Sequence, residues 1–228
     1  MDPMRIALFG GTFDPIHRGH LRVARAAADA YALDRVLFAP VGHQPLKPGG
    51  ASASFADRLA MVRLALEEPS SDWRADPSAK TGRPAYDSRF AASSLDAPHP
   101  DGSPNYTVDT LAAFAREYPG EELFALAGAD SFLDLRRWRS PNRVLSLAEW
   151  IVVSRPDFPF GEGSLAALAL TPSERSRIHL LTTVHEDISA TELRRRLETG
   201  DPCTGVLPAP VAAYIVARNL YRGVEGRR

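Results

Sequence analysis

Short apolar runs separated by segments of helical period organise this chain. Residues 5–9, 36–40, 123–127, 150–154 and 178–181 are apolar stretches of strand length, and 73–75 is a weaker candidate. Residues 21–31, 55–68, 108–117 and 141–147 read as helices. Ser54 stands in the N-cap position of the second, with Asp57 three residues on, and Ser140 caps the fourth, with Pro141 at its first helical position. Strand–helix alternation of this kind predicts an α/β fold, a doubly wound and mostly parallel sheet with helices on both faces. No internal repeat is visible.

The first apolar run ends in the turn Gly10-Gly11-Thr12, which leads through Phe13-Asp14-Pro15-Ile16 to His17-Arg18-Gly19-His20 and a helix. Ligands of open α/β sheets lie beyond the carboxyl ends of strands, and a glycine turn before a helix start turns backbone N–H groups toward an anion. The turn therefore reads as a phosphate site. His17 and His20 stand three residues apart, so both rings can reach one side of the same pocket, where they could clamp a phosphoryl group. Gly10-Gly11 is also an ordinary turn signal, Asp14-Pro15 could simply start a helix, and the histidines could be metal ligands. The remaining histidines, 43, 99, 179 and 185, are scattered, and the lone Cys203 completes no Cys/His cluster, so no metal site is assigned. No Gly-Lys-Ser/Thr ends the turn, which excludes a Walker loop.

Three further places carry candidate chemistry. Gly128-Ala129-Asp130 follows the third long apolar run, so Asp130 either faces a ribose or second substrate or caps a helix. Ser189 with Glu192 fits a capping box at the start of an Arg-rich helix ended by Gly200; Ser189, Thr191 and the forked donor Arg194 suit a polyphosphate, whereas Arg195 and Arg196 read as a solvated face. Thr107 as cap of the helix at Val108 would offer N–H groups to a carboxylate, with no Arg or Lys between 105 and 111 to do so instead. Trp138 offers a flat face for a ring, or simply packs.

Composition adds limits. A chain of 228 residues suits one domain, and 27 basic against 28 acidic residues give a net charge of −1, no case for nucleic acid or an anionic membrane as partner. No apolar run approaches the roughly 20 residues of a membrane span, residues 1–4 lead straight into the first strand rather than a signal core, and a single cysteine fits a reducing compartment. The expectation is a cytoplasmic protein. Residues 78–104 hold four prolines, with Pro77 at the edge, and read as a loop insertion that could be a lid, an oligomer contact or a disordered insert, so a homo-oligomer stays open. Residues 188–222 form a helical C-terminal part, and 223–228 a frayed tail.

Gly11-Thr12-Phe13-Asp14-Pro15 with His17-Arg18-Gly19-His20-Leu21 resembles the signature of the HxGH nucleotidylyltransferases, and specifically of the bacterial nicotinate-nucleotide adenylyltransferases. Similar motifs continue at 105–111, 127–132 followed by Trp138, 153–156, 188–194 and 207–211. The resemblance implies a Rossmann-like fold and adenylyl transfer from ATP to nicotinate mononucleotide, giving deamido-NAD and pyrophosphate, with Mg²⁺ arriving on ATP. It implies that Gly10, Gly11, Thr12, Phe13, Gly19, Gly128, Asp130, Ser189 and Thr191 bind the nucleotide, with 188–194 on its β- and γ-phosphates. By the same resemblance His17, His20, Arg194 and Lys47 serve the reacting phosphates, although Lys47 could equally be an exposed lysine in a proline-broken loop. Tyr106, Thr107 and Trp138 take the nicotinate side. Two rivals remain, a nucleotidylyltransferase for another phosphate acceptor and a non-catalytic nucleotide sensor.

Overall fold

The computed structural model describes residues 2–46, 49–68, 87–154, 161–182 and 188–222; the weak strand candidate 73–75, Lys47 and the first part of the 78–104 stretch lie outside them. Among the described residues, β1 Arg5–Gly11, β2 Arg35–Pro40, β3 Phe90–Ala92, β4 Glu122–Gly128, β5 Glu149–Val153 and β6 Ile178–Leu181 form one all-parallel sheet in the order β3-β2-β1-β4-β5-β6. The helices are α1 Arg18–Ala30, α2 Phe55–Glu67, α3 Thr107–Glu117, α4 Ala129–Leu133, α5 Pro141–Leu147, α6 Glu162–Ala166, α7 Pro172–Ser176, α8 Ala190–Glu198 and α9 Ala209–Ala217. None of the helices among the described residues is long and apolar enough to cross a membrane.

The continuous apolar strands are explained by burial on both faces. Ala7, Phe9, Val36, Phe38, Phe124, Leu126, Ile151 and Val153 face one core, shared with residues of α1, α2, α8 and α9. Their neighbours Ile6, Leu8, Leu37, Ala39, Ala125, Trp150 and Val152 face a second core, shared with α3, α4 and α5. A slip of one residue in register would exchange the two sets, so the pairing of Phe9 with Phe38 and with Leu126 is tightly specified. The strand order reverses between β1 and β4, which opens a crevice at their carboxyl ends.

Several expected boundaries shift for physical reasons. Strand β3 lies inside the stretch read as loop; three residues are too few to show a period, and it exists because β2 offers it an edge, with Leu37 opposite Ala91. Ser140 is left-handed at φ 52° and makes no side-chain cap bond, although Pro141 does open α5 as expected. Tyr106, not Thr107, holds the N-cap of α3, and Gly128, not Asp130, that of α4. Ser189 does occupy the N-cap of α8, but no capping box forms, because Glu192 turns to Arg195 at 2.6 and 2.8 Å.

At Ser54 the cap is as expected: the Asp57 N–H donates to its Oγ at 3.1 Å, and the hydroxyl donates back to the Asp57 carboxylate at 2.6 Å. The same carboxylate accepts from the Tyr214 hydroxyl of α9 at 2.9 Å and from Arg218 Nε at 3.3 Å, which ties α9 to α2. The Ser54 bond leads, against the opposing effect of burial, and with Tyr214 and Arg218 it holds the Asp57 carboxyl below the usual carboxylate range. A carboxyl lowered in the folded state stabilises above its unfolded value near pH 4, and that stabilisation disappears as pH falls through the lower folded value. Asp57→Asn should therefore cost on the order of 1 kcal/mol at pH 7, with the deficit shrinking below about pH 4, as read by urea unfolding at both pH values. A deficit independent of pH would remove the carboxylate from this role.

Candidate active site

Beyond β1 the chain makes a compact loop whose centre is packed rather than open. Phe13 is left-handed at φ 48° and 1% exposed, with its ring edge-on to Phe9 at 5.3 Å and to the His20 ring at 5.0 Å. The Phe13 side chain is therefore core, and any contact it makes with a nucleotide runs through its backbone. Gly11 lies against that ring, where an added Cβ would stand 2.9 Å from Cζ. Gly19 is buried in the first turn of α1.

His17 is the N-cap of α1 and only 3% exposed; His20 is half-buried. The two rings stack with centroids 3.7 Å apart and planes at 29°. The His17 N–H donates to His20 Nδ1 at 3.3 Å. That bond assigns the tautomer: with Nδ1 accepting, the neutral ring carries its proton on Nε2 and presents a donor from the opposite edge.

Under the loop lies a buried charge cluster that the motif reading did not assign. The Asp14 carboxylate is 2% exposed and accepts from Ser52 N–H at 2.6 Å, Ala53 N–H at 3.1 Å and the Tyr221 hydroxyl at 2.6 Å. Arg58, also 2% exposed, donates from Nη1 to the Thr12 carbonyl at 2.7 Å and from Nε to the Ala53 carbonyl at 3.3 Å. Burial works against the Arg58 charge, and the Asp14 carboxylate is the chief group working for it. Arg194, from the first turns of α8, donates Nη1 to the Asp14 carbonyl at 2.8 Å and Nη2 to Thr191 Oγ1 at 3.3 Å. His17, His20, Thr191 and Arg194 are thus brought to one loop, with Ser189 at the end of the same helix. Arg195 is a surface pair with Glu192, and Arg196 pairs with Asp201 at 2.8 Å.

At the carboxyl ends of β1 and β4 a cavity of about 500 Å³ is lined by Gly10, Gly11, Thr12, Asp130, Tyr106, Thr107 and Trp138, among others. The acceptor-side candidates thus share one space with Gly10, Gly11, Thr12 and Asp130, whereas His17, His20, Ser189, Thr191 and Arg194 are not among the residues that line it. Asp130 is the second residue of α4 and folds back over Gly128, where a Cβ would meet its Oδ1 at 2.6 Å. Trp138 stands 5.6 Å from Trp150 and 6.4 Å from Phe132, which fixes its ring at the wall. A second cavity of about 490 Å³, lined by Arg5, Glu122, Glu149 and His179, lies at the opposite ends of the strands and gathers none of these residues.

The wall around Tyr106 is more ordered and more charged than its local sequence predicts. Asn105 accepts from the His43 N–H at 2.8 Å and donates to the carbonyls of Asp96 and Ala97 at 3.2 and 2.8 Å, while the Thr110 hydroxyl donates to Asp96 at 2.7 Å. Burial pushes the Asp96 carboxyl up, against those side-chain hydrogen bonds, and the residue lines the cavity. Arg139 places its guanidinium 4.7 Å from the Tyr106 ring centroid, and Arg137 and Arg139 both line the cavity. The absence of Arg and Lys from 105–111 thus does not leave this side without positive charge; the arginines come from the segment around Trp138, and only the Trp138 motif itself could have pointed to them.

The cytidylyltransferase-like family model matches residues 8–196. A Thermomicrobium roseum protein named "Probable nicotinate-nucleotide adenylyltransferase" is 39% identical over 221 residues, covering 97% of this chain and 93% of that one. A Roseiflexus protein of the same name is 39% identical over 222 residues, covering 97% and 100%. Among solved structures, the Plasmodium falciparum nicotinic acid mononucleotide adenylyltransferase complexed with NaAD superposes with a TM-score of 0.72 at 18% identity, over 96% of this chain and 97% of that one, a likeness of fold.

The packing of Gly11 makes a direct prediction. Gly11→Ala should drive Cβ into the buried Phe13 ring, which must then shift within the core, and lower stability by about 1–3 kcal/mol in urea unfolding. Unchanged stability would mean that the loop is looser than its packing indicates.

Proposed function

This chain belongs to the nicotinate-nucleotide adenylyltransferases, within the cytidylyltransferase-like family, and we propose how the site described above carries out their reaction. The chain transfers the adenylyl group of ATP to nicotinate mononucleotide in NAD biosynthesis, giving nicotinate adenine dinucleotide and pyrophosphate. A 5′-phosphate oxygen of the mononucleotide forms a bond to the α-phosphorus of ATP; the bond from that phosphorus to the bridging oxygen breaks, and pyrophosphate leaves with the electron pair. No protein nucleophile is needed, so the side chains position the reactants and stabilise charge.

The observation that carries the assignment of roles is the His17–His20 pair, stacked at the end of β1 with His20 Nε2 turned into a donor. His20, backed by His17, stabilises the oxygens around the reacting phosphorus. Arg194, Thr191 and Ser189 meet the β- and γ-phosphates with Lys47, and the Gly10-Gly11-Thr12 turn, Gly128 and Asp130 hold the rest of the nucleotide. On the acceptor side Trp138 stacks on the pyridine ring, and the first N–H groups of α3, at Thr107 and Val108, meet the carboxylate beside Tyr106. The Arg139 guanidinium over Tyr106 adds charge there. Mg²⁺ would enter on the phosphates of ATP and supply further neutralisation of their charge, beside Arg194 and Lys47. We take residues 1–228 as one domain and place it in the cytoplasm, where the lone buried Cys203 stays reduced.

Pyrophosphate release tests these roles against the rivals, using nicotinate mononucleotide, nicotinamide mononucleotide and phosphopantetheine in turn with ATP and Mg²⁺. Nicotinate mononucleotide should be preferred over the amide by on the order of a hundredfold in kcat/KM, since the amide sets donor against donor at the α3 terminus. In the same assay His20→Ala should lower kcat by about a hundredfold or more while changing the KM for ATP much less. Equal rates with acid and amide would contradict the carboxylate reading, and near wild-type turnover by His20→Ala would remove that residue from the chemistry.

A further inference from the structure

Arg194 meets Asp14 twice, through the backbone and, at longer range, through the carboxylate. Its Nη1 takes the Asp14 carbonyl at 2.8 Å, whereas the nearer carboxylate oxygen, Oδ2, lies 3.9 Å away. Both carboxylate oxygens are already engaged: Oδ1 accepts from the Tyr221 hydroxyl and the Ala53 N–H, and Oδ2 from the Ser52 N–H. A carboxylate with so little exposure needs its lone pairs satisfied, so these donors fix where Asp14, and the carbonyl that Arg194 binds, can sit. The donor that commits Oδ1 most closely, at 2.6 Å, comes from the far end of the chain.

We propose that Tyr221 is a positioning residue for the triphosphate site: its hydroxyl fixes Asp14 from below, and with it the Asp14 carbonyl that holds the Arg194 guanidinium in place for the phosphates of ATP. The inference rests on the assignment of Arg194 to those phosphates. The chain after α9 is shaped for this contact. Asn219 and Tyr221 both take left-handed backbone, at φ 50° and 59°, and the Leu220 N–H bonds to the Ile215 carbonyl at 3.0 Å, so the chain curls back toward the loop after β1. Non-glycine residues held at positive φ are uncommon and persist where surrounding contacts over-determine them. Burial, and then the charge of Asp14, push the Tyr221 phenol well up, so the hydroxyl remains a donor at working pH. Arg194 keeps 27% of its side chain exposed, and its hold on Thr191 is long at 3.3 Å, which leaves one edge of the fork for a ligand.

The test measures ATP and nicotinate mononucleotide kinetics for Tyr221→Phe, Arg194→Ala and the double variant. Tyr221→Phe keeps the ring and deletes the hydroxyl; it should raise the KM for ATP about tenfold, leave the KM for nicotinate mononucleotide within about twofold, and add nothing to the defect of Arg194→Ala. Tyr221→Gln and Tyr221→Leu separate donor from ring: the glutamine, which retains an N–H donor, should keep the KM for ATP nearer wild type even where both lower the melting temperature. A lowered melting temperature with unchanged ATP kinetics in Tyr221→Phe, or additive defects in the double variant, would overturn the proposal. If Arg194→Ala itself leaves the KM for ATP unchanged, the assignment of Arg194 fails and this inference with it; if only Tyr221→Phe is silent, the assignment stands and the inference alone falls.

Discussion

The buried carboxylate of Asp14 is the constraint on which the phosphate side of this molecule depends. An ionised group taken out of water is tolerated only where donors and opposite charge replace the solvent. Here the replacements come from three separate parts of the chain: Ser52 and Ala53 just before α2, Tyr221 after α9, and the field of the buried Arg58. Satisfying one side chain therefore fixes the loop after β1 against α2 and against the C-terminal turn. Arg58 ties the same loop from Thr12 to Ala53, and Arg194 attaches α8 to it through the Asp14 carbonyl. The histidine pair stands on a scaffold held at several points, as groups that must meet a reacting phosphorus need.

The acceptor side is held by neutral hydrogen bonds instead. Asn105 joins the loop after β2, through His43, to the segment after β3, through Asp96 and Ala97, and Thr110 anchors Asp96 from within α3. This sets the start of α3 at the edge of the cavity shared with Trp138 and the glycine turn. Sheet topology does the remaining work. The crevice between β1 and β4 follows from the reversal of strand order there, so donors at the end of β1 and a ring-stacking wall from the segment after β4 face one space.

Long apolar runs announced the five longer strands, because strands buried on both faces need no alternation to be recognised. The three-residue β3 was invisible for the opposite reason: its existence depends on the edge of β2, not on its own pattern. The starts of α2, α5 and α8 were legible, but the expected cap bond forms only where it is local and unopposed. Ser54 caps α2, while Ser189 loses its capping-box partner because Glu192 finds Arg195 one turn on, and Ser140 is turned away by its left-handed backbone. The glycine turn, the two histidines and Arg194 were found as local motifs. Asp14, Arg58 and Tyr221 carry no local signal, since the contacts that join them to the loop span 38 to 207 positions and leave no periodic trace. Arg139 carries no local signal either, since only the fold brings its guanidinium over the Tyr106 ring.

The claim that Asp14 organises the phosphate site is tested most directly by ATP binding to Asp14→Asn, by calorimetry at a temperature where circular dichroism shows the variant folded. An amide of the same shape sets an N–H against one of the donors now satisfied and removes the charge that Arg58 faces. ATP affinity should fall about tenfold or more together with a loss of stability of about 3 kcal/mol. Wild-type affinity for ATP in a destabilised Asp14→Asn would show that the carboxylate holds the fold without shaping the site, and would contradict the claim.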